Sequence, residues 1–239
     1  ASGNIDVSAN GVELSGNASL ACTGSGILTV NTDGILTAAP STETIILNGG
    51  SYFQTASGLL RVNSTGAGTV DLALNSFIRS TAGAVSVTAN DINITGHAST
   101  PSYIRAATDV DVTTSDGDIT LGEKSYIRAL NDVGVTTVDG DITFGQNSYI
   151  QSTTLGDVTI DVSGVDKTLG LSGTPSYVQA VSGNVSITIA DGDLQLYLTN
   201  TITATGDIDV TARGVELSSG ASLVCSSTGA LTVNATGEF

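Results

Sequence analysis

Residues 108–129, TDVDVTTSDGDITLGEKSYIRA, contain three short segments in which apolar and polar residues alternate. The segments are VDV at 110–112, ITLG at 119–122 and SYIRA at 125–129, and the turn sequence SDGD separates the first two. Each segment is too short for a helix and has the two-residue period of a half-buried strand. Three such strands, with Gly, Asn and Asp at corners that need a positive φ, predict one coil of a parallel β-helix.

The first segment belongs to a motif, Gly-x-apolar-x-apolar, that recurs along the chain. Successive copies begin 23 to 27 residues apart, except for one interval of 32 residues that contains the insertion AAPSTE near Pro40. The copies, two of them degenerate, begin at Gly3, Gly26, Gly58, Gly83, Thr108, Asn131, Gly156, Gly183, Gly206 and Gly229. Ten copies predict one all-β solenoid over 1–239 with about ten coils. A leucine-rich repeat would show a Leu-rich consensus, and a β-sandwich would not repeat the same three-part phrase.

A longer repeat contains these coils. Residues 1–34 align with 204–237 without a gap, and 21 of the 34 positions are identical at a constant offset of 203 residues, or eight motif copies. The alignment predicts one full super-repeat over 1–203 and the start of the next over 204–237, as in a tandem array. Glu238 and Phe239 break the match, and we interpret them as a vector-derived end.

The two cysteines occupy equivalent positions in the two copies. Cys22 and Cys225 are eight coils apart, which is roughly 38 Å at a strand spacing of ~4.8 Å. A disulfide needs Cα atoms within about 7 Å of each other. We therefore predict two free thiols, in the inward position that small Ala residues fill in other coils.

Equivalent residues of stacked coils form columns along the solenoid. In SYIRA, the alternation places Ser, Ile and Ala inward and places Tyr and Arg outward. The predicted inward apolar column is Phe53, Ile78, Ile104, Ile127, Ile150, Val178, Ile202 and Leu223. The predicted outward columns are Tyr52, Phe77, Tyr103, Tyr126, Tyr149 and Tyr177 beside Gln54, Arg79, Arg105, Arg128, Gln151 and Gln179.

Two interpretations of the outward columns remain open. In the first, rings stack on rings and each Arg lies over a neighbouring ring, so the side chains of this face interact with one another and need no ligand. In the second, the face is a carbohydrate-binding strip, with Tyr103, Arg105, Tyr126, Arg128 and Tyr149 as candidate binding residues. Three like charges on consecutive coils are disfavoured without compensation, which favours the second interpretation.

A second set of columns is acidic. The turns SDGD and VDGD place Asp116, Asp118, Asp139 and Asp141 at one corner, and ADGD places Asp191 and Asp193 there in a later coil. Stacked carboxylates repel each other unless solvent or a cation screens them, and Ca²⁺ favours oxygen-rich corners. Asp-Gly is also the ordinary composition of a tight turn. The four acids are therefore weak Ca²⁺ candidates, and no other cofactor is expected.

Composition excludes several classes of function. The chain has 23 acidic and 7 basic residues, with a net charge of −16, which opposes nucleic-acid binding. No apolar run is long enough to insert into a membrane. The single His97 lies in the corner sequence TGHASTP, Glu43 has no recognisable partner, and no catalytic triad or phosphate loop is present. We therefore predict a protein that is not an enzyme; a polysaccharide lyase or hydrolase is the less favoured alternative.

The motif also carries a family resemblance. The phrase Gly-x-apolar-x-apolar-x-(Ala/Ser/Thr)-(Asn/Asp), followed by Gly or Asp and a second apolar pair, resembles the coils of filamentous-haemagglutinin-like exoproteins. It is also similar to the passenger regions of other large bacterial surface adhesins, and the resemblance covers nearly the whole chain. It implies a right-handed β-helix in a secreted or surface-anchored bacterial stalk. The implied partners are neighbouring repeats of the same polypeptide and host or environmental glycans.

Overall fold

The computed structural model describes residues 1–32, 44–64, 66–97 and 99–237, and their regular structure is entirely β. The whole insertion AAPSTE, including Glu43, and the pair Glu238 and Phe239 lie outside the described residues. No helix occurs in the described part of the chain, so none there is long and apolar enough to cross a membrane.

The strands of the first five coils are β1 (Ile5–Ala9), β2 (Val12–Leu14), β3 (Ser19–Cys22), β4 (Leu28–Thr32), β5 (Ile45–Leu47), β6 (Tyr52–Thr55), β7 (Leu60–Ser64), β8 (Thr69–Ala73), β9 (Phe77–Ser80), β10 (Val85–Ala89), β11 (Asp91–Thr95), β12 (Ser102–Arg105), β13 (Val110–Thr114), β14 (Ile119–Leu121) and β15 (Ser125–Ala129). The later strands are β16 (Val133–Thr137), β17 (Ile142–Phe144), β18 (Tyr149–Ser152), β19 (Val158–Leu171), β20 (Tyr177–Ala180), β21 (Val185–Leu196), β22 (Thr201–Ala204), β23 (Ile208–Ala212), β24 (Gly214–Leu217), β25 (Ser222–Cys225) and β26 (Leu231–Ala235).

Each coil contributes three strands, as predicted. The third strand of each coil joins a separate nine-stranded sheet, in which β3, β6, β9, β12, β15, β18, β20, β22 and β25 pair in parallel with their neighbours. The first and second strands of every coil form the other, seventeen-stranded sheet, and in β19 and β21 they merge into one long strand. The described residues thus form nine complete coils and the first strand of a tenth, which confirms the predicted parallel β-helix.

The core lies along the axis and is built from the predicted inward positions. In β15 the side chains of Ser125, Ile127 and Ala129 are buried, while Tyr126 and Arg128 are partly exposed. The inward column is fully buried from Phe53 to Ile202. Because the pairing joins identical positions of successive coils, such as Ile104 with Ile127, each apolar side chain packs on its counterpart one coil away.

The motif glycines bring successive coils into close contact. Glycines with a positive φ occur at other positions, and none of them begins a motif copy. A Cβ atom on Gly58 would lie 2.1 Å from the carbonyl oxygen of Gly26, and one on Gly26 would lie 2.2 Å from that of Gly3. The motif glycines therefore permit close approach of one coil to the next.

The cysteine prediction is confirmed. Cys22 and Cys225 are both free. Cys22 is 1% exposed, and its thiol donates to the carbonyl oxygens of Gly3 and Ile27 at 3.4 and 3.6 Å. Cys225 pairs in register with Ala204, the small inward residue of the preceding coil. Cys225 is only partly buried because it lies in the last complete coil.

Candidate functional site

Six aromatic residues form a continuous stack on the outer face of the third-strand sheet. We call this stack the ring ladder; it consists of Tyr52, Phe77, Tyr103, Tyr126, Tyr149 and Tyr177. Centroids of neighbouring rings are 4.6 to 5.0 Å apart, and the ring planes lie within 5° of parallel. The spacing follows from strand pairing, because each ring sits at the same register position of its strand. The predicted ring-on-ring stacking is present.

Stacking determines which ring surfaces are available to a ligand. Phe77, Tyr103, Tyr126 and Tyr149 each have a ring of the ladder on both faces. A sugar that binds by packing on an aromatic face needs that face uncovered. The four central rings therefore offer a ligand only their edges, and polar contacts on this face would come from the tyrosine hydroxyls and from the neighbouring Arg and Gln side chains.

Burial in the ladder changes the acidity of its tyrosines. Desolvation raises the pKa of Tyr126 and Tyr149, and it raises the pKa of Tyr177 to about 12. Neighbouring phenols add to the effect at Tyr126 and Tyr177, while Arg128 opposes it at Tyr149 and Tyr177. The hydroxyl groups of Tyr126, Tyr149 and Tyr177 therefore stay protonated at neutral pH.

Three arginines run beside the ring ladder on consecutive coils, and we call Arg79, Arg105 and Arg128 the arginine strip. Arg79 donates from Nη2 to Gln54 Oε1 at 2.8 Å and lies 5.4 Å from the centroid of the Phe77 ring. Arg128 lies near the hydroxyl of Tyr149 and acts to lower its pKa. Among the described residues, no hydrogen-bond partner is found for the buried Nε atoms of Arg79 and Arg128.

The arginine strip has no carboxylate partner within the described residues. The four ion pairs found there use Lys167 and Arg213 only. The predicted placement of an arginine over a ring holds for Arg79, and no such contact is found for the other two in the described part of the chain. The structure brings the candidate residues Tyr103, Arg105, Tyr126, Arg128 and Tyr149 together on one face.

A shallow cavity lies where the third strands end, next to Arg79 and Arg105. Its volume is about 190 Å³, and its wall also includes Thr81, Ala107 and Leu130. Ala107 is the smallest of these corner residues, and Leu130 is 37% exposed above it. The cavity is therefore a notch in the outer surface, with two arginines among its lining residues.

The acidic corners are organised differently. Asp or Asn at the second position of the motif accepts the backbone N–H of the equivalent residue in the next coil, with N to Oδ1 distances of 2.7 to 3.3 Å. We call this column the corner ladder; its members are Asp109, Asp132, Asp157, Asn184 and Asp207. Each carboxylate is thus satisfied by a peptide group of the neighbouring coil.

The predicted calcium candidates belong to a similar arrangement. Asp118 Oδ1 accepts the N–H of Asp141 at 2.8 Å, and Asp141 Oδ1 accepts that of Thr168 at 2.6 Å. Asp139 pairs with Lys167 at 3.2 Å, while Asp116 is exposed in its turn. In the described ranges no three His, Cys, Asp or Glu side chains are grouped closely enough to hold a metal ion. Calcium binding at these four acids stays a prediction.

Arg213 was not recognised from the sequence. It binds Asp166, approaches Asp191 at 3.7 Å and pairs with Asp193 at 3.1 Å. Hydrogen bonds to Asp193 and Asp166 raise the pKa of the guanidinium further above its usual range. The signal was present, because Arg213 replaces the Asn10 of the first copy directly after strand β23. The corner ladder had a signal as well, in the recurrence of Asp and Asn at one motif position.

His97 lies in an exposed corner, as expected. Its backbone pairs with Thr100, and Ser99 Oγ lies 3.5 Å from its Nδ1 atom.

Comparison of the chain with protein-family models, curated proteins and solved structures found no match. Any functional conclusion therefore depends on the geometry described above.

Proposed function

We propose that the chain is a structural repeat segment, a stalk that supplies length in a large secreted or cell-surface bacterial adhesin-like protein. The observation that carries this proposal is the repetition of strand bounds at the 203-residue offset. Strands β1, β3 and β4 have the same limits as β23, β25 and β26 after the shift, and β24 begins one residue before the counterpart of β2. When the strands of one unit recur at the same positions in the next unit, further units can be added without a change in strand pairing.

The surface and the core of the solenoid support the same role. A chain whose outer columns are polar and acidic, and whose core is continuous along the axis, suits a rod better than a catalyst.

The proposed role is tested by lengthening the chain. A variant that carries residues 1–203 twice, followed by 204–237, should form a rod longer by roughly 38 Å at ~4.8 Å per coil, with the same cross-section. Small-angle X-ray scattering measures both quantities, with the natural chain as the control. A thicker particle, or two bodies with separate dimensions, would contradict the proposal. Antibody labelling of intact source cells tests the surface location.

Carbohydrate binding remains the second candidate function. One observation favours it: the arginine strip has no carboxylate partner in the described residues. A glycan array read with Tyr126→Ala and Arg128→Ala variants tests this function, since loss of binding in both would assign a ligand to the outer face. Turnover of polyuronates by the unaltered chain would instead support the lyase or hydrolase alternative.

A further inference from the structure

We propose that the notch between Arg79 and Arg105 is an anion site that takes a sulfate or carboxylate group of an acidic sugar. The site does not depend on the proposed stalk role, because it uses only side chains on the outer surface. Its volume of about 190 Å³ is below the ~300 Å³ at which ordinary ligand pockets begin, so it suits one acid group or one monosaccharide.

The shape of the site comes from one small residue. The position after the third strand is Thr81, Ala107 and Leu130 in three successive coils, and all three residues line the cavity. Ala107 leaves a gap between the larger side chains of its two neighbours. Other coils have Thr153 and Thr205 at this position, so the column accepts a larger side chain.

The charge of the site comes from two paired strands. Arg79 and Arg105 are register partners on β9 and β12, and strands in this relation are about 4.8 Å apart. Two like charges on adjacent strands repel each other. An oxyanion between them replaces this repulsion by two attractions. Guanidinium groups also match the paired oxygens of a carboxylate or sulfate.

Preorganisation is visible at Arg79. The hydrogen bond from Nη2 to Gln54 and the contact with the Phe77 ring fix the guanidinium in place. Arg105 forms no ion pair within the described residues. A fixed and a less restrained arginine on the two sides of a notch can close on an anion at a small entropic cost.

The site is tested by NMR of the arginine Nε–Hε groups in the full chain. Titration with sodium sulfate, and separately with a galacturonic acid trimer, should shift the resonances of Arg79 and Arg105 and saturate. Arg61 and Arg213, on other surfaces, should not respond. Sodium chloride holds the ionic strength constant, since screening alone weakens exposed charge interactions. A neutral galactose trimer is the control ligand, and saturation with either acidic probe supports the site.

Two variants separate a shaped site from general charge attraction. Arg105→Gln removes one guanidinium and introduces the residue found at Gln54, Gln151 and Gln179, so the fold should tolerate it. Ala107→Thr keeps both charges and fills the notch. Each should weaken binding at least about tenfold, whereas Arg61→Gln, which removes the same charge elsewhere, should leave binding unchanged.

Three outcomes would overturn the proposal. The first is the absence of a saturable shift at Arg79 and Arg105 with both acidic probes. The second is equal binding by Ala107→Thr and the natural chain, because attraction would then not require the notch. The third is an equal loss in Arg61→Gln, which would make net charge the only determinant. None of these outcomes affects the scattering test of the stalk role.

Discussion

The arginine strip and the corner ladder both stack like charges on consecutive coils, but only one of them is satisfied by the solenoid itself. Each Asp or Asn of the corner ladder accepts a backbone N–H from the next coil. A guanidinium group only donates hydrogen bonds, so an N–H cannot satisfy it. The sign of the charge therefore decides whether the backbone of a β-helix can compensate a stacked column.

The geometry of the corners explains this difference. Along a strand, each N–H is already paired with a carbonyl of the neighbouring coil. At a corner the pairing is interrupted, and N–H groups such as that of Asn184 take an acceptor from a side chain. The arginine strip lies on strands whose backbone groups are already paired, so its partners have to be side chains, such as Gln54 for Arg79, or an anion from outside the protein.

The largest expected effect comes from placing a charged residue at an inward position of β15, the strand that carries Arg128. Ile127→Asp places an unpaired charge in the core column and should cost more than about 4 kcal/mol, enough to unfold the chain. Arg128→Ala, on the adjacent outward position, should change stability by less than about 0.5 kcal/mol. Thermal melts followed by circular dichroism compare them. Similar melts for both variants would contradict the register on which the comparison is based.

The next effect concerns the ring ladder that borders the strip. The pKa of Tyr177 is about 12 in the fold, above its ordinary ~10. A raised pKa means that the fold holds the proton more tightly, so stability is complete below pH 10 and falls as the pH rises through 12. The loss is roughly 1 kcal/mol for this half-exposed group, after allowance for solvent screening.

Denaturant unfolding between about pH 9 and pH 12 measures this loss. Tyr177→Phe should reduce the alkaline loss without lowering stability at neutral pH, because the ladder already has a phenylalanine at Phe77. An unchanged pH profile in this variant would contradict the raised pKa of Tyr177.

A smaller effect tests the corner ladder directly. Asp157 Oδ1 accepts the N–H of Asn184 at 2.7 Å. Asp157→Ala leaves that donor without its acceptor and should cost about 1 kcal/mol. Asp157→Asn keeps the acceptor, as Asn184 does in the next coil, and should be nearly neutral. Urea denaturation measures both variants, and equal losses would show that the carboxylate charge matters rather than the acceptor.

The smallest effect concerns an acid outside the ladder. Partial burial, followed by repulsion from Asp109 and Asp132, raises the pKa of Asp111. Asp111→Asn removes the repelled charge and should stabilise the fold by a few tenths of a kcal/mol. The gain should vanish as the pH falls below about 4, the ordinary pKa of Asp, where Asp111 is protonated in both the folded and the unfolded chain. Scanning calorimetry at neutral and acidic pH tests it, and a loss of stability at neutral pH would contradict the prediction.

The sequence was sufficient for the fold because strand periodicity and coil length are local patterns. The inward position of Ile127 and the outward position of Arg128 followed from the alternation of apolar and polar residues alone. The close approach at Gly26 did not, because it depends on where the carbonyl of a residue 23 positions earlier lies. The role of Arg213 was missed for a similar reason, since its partner Asp166 is 47 residues away. Contacts between coils depend on how the corner residues of one coil align with those of the next. Sequence spacing fixes that alignment less well than it fixes the alignment of strands.

The repetition of strand bounds at the 203-residue offset has a genetic consequence. Recombination between the segments that encode residues 1–34 and 204–237 would delete or duplicate one unit without changing the strand register of any later coil. Because the strand bounds repeat at this offset, the strands after the exchange would keep their register. A gene that repeats the unit would therefore change the length of its protein in steps of a whole unit, with the strand pairing retained.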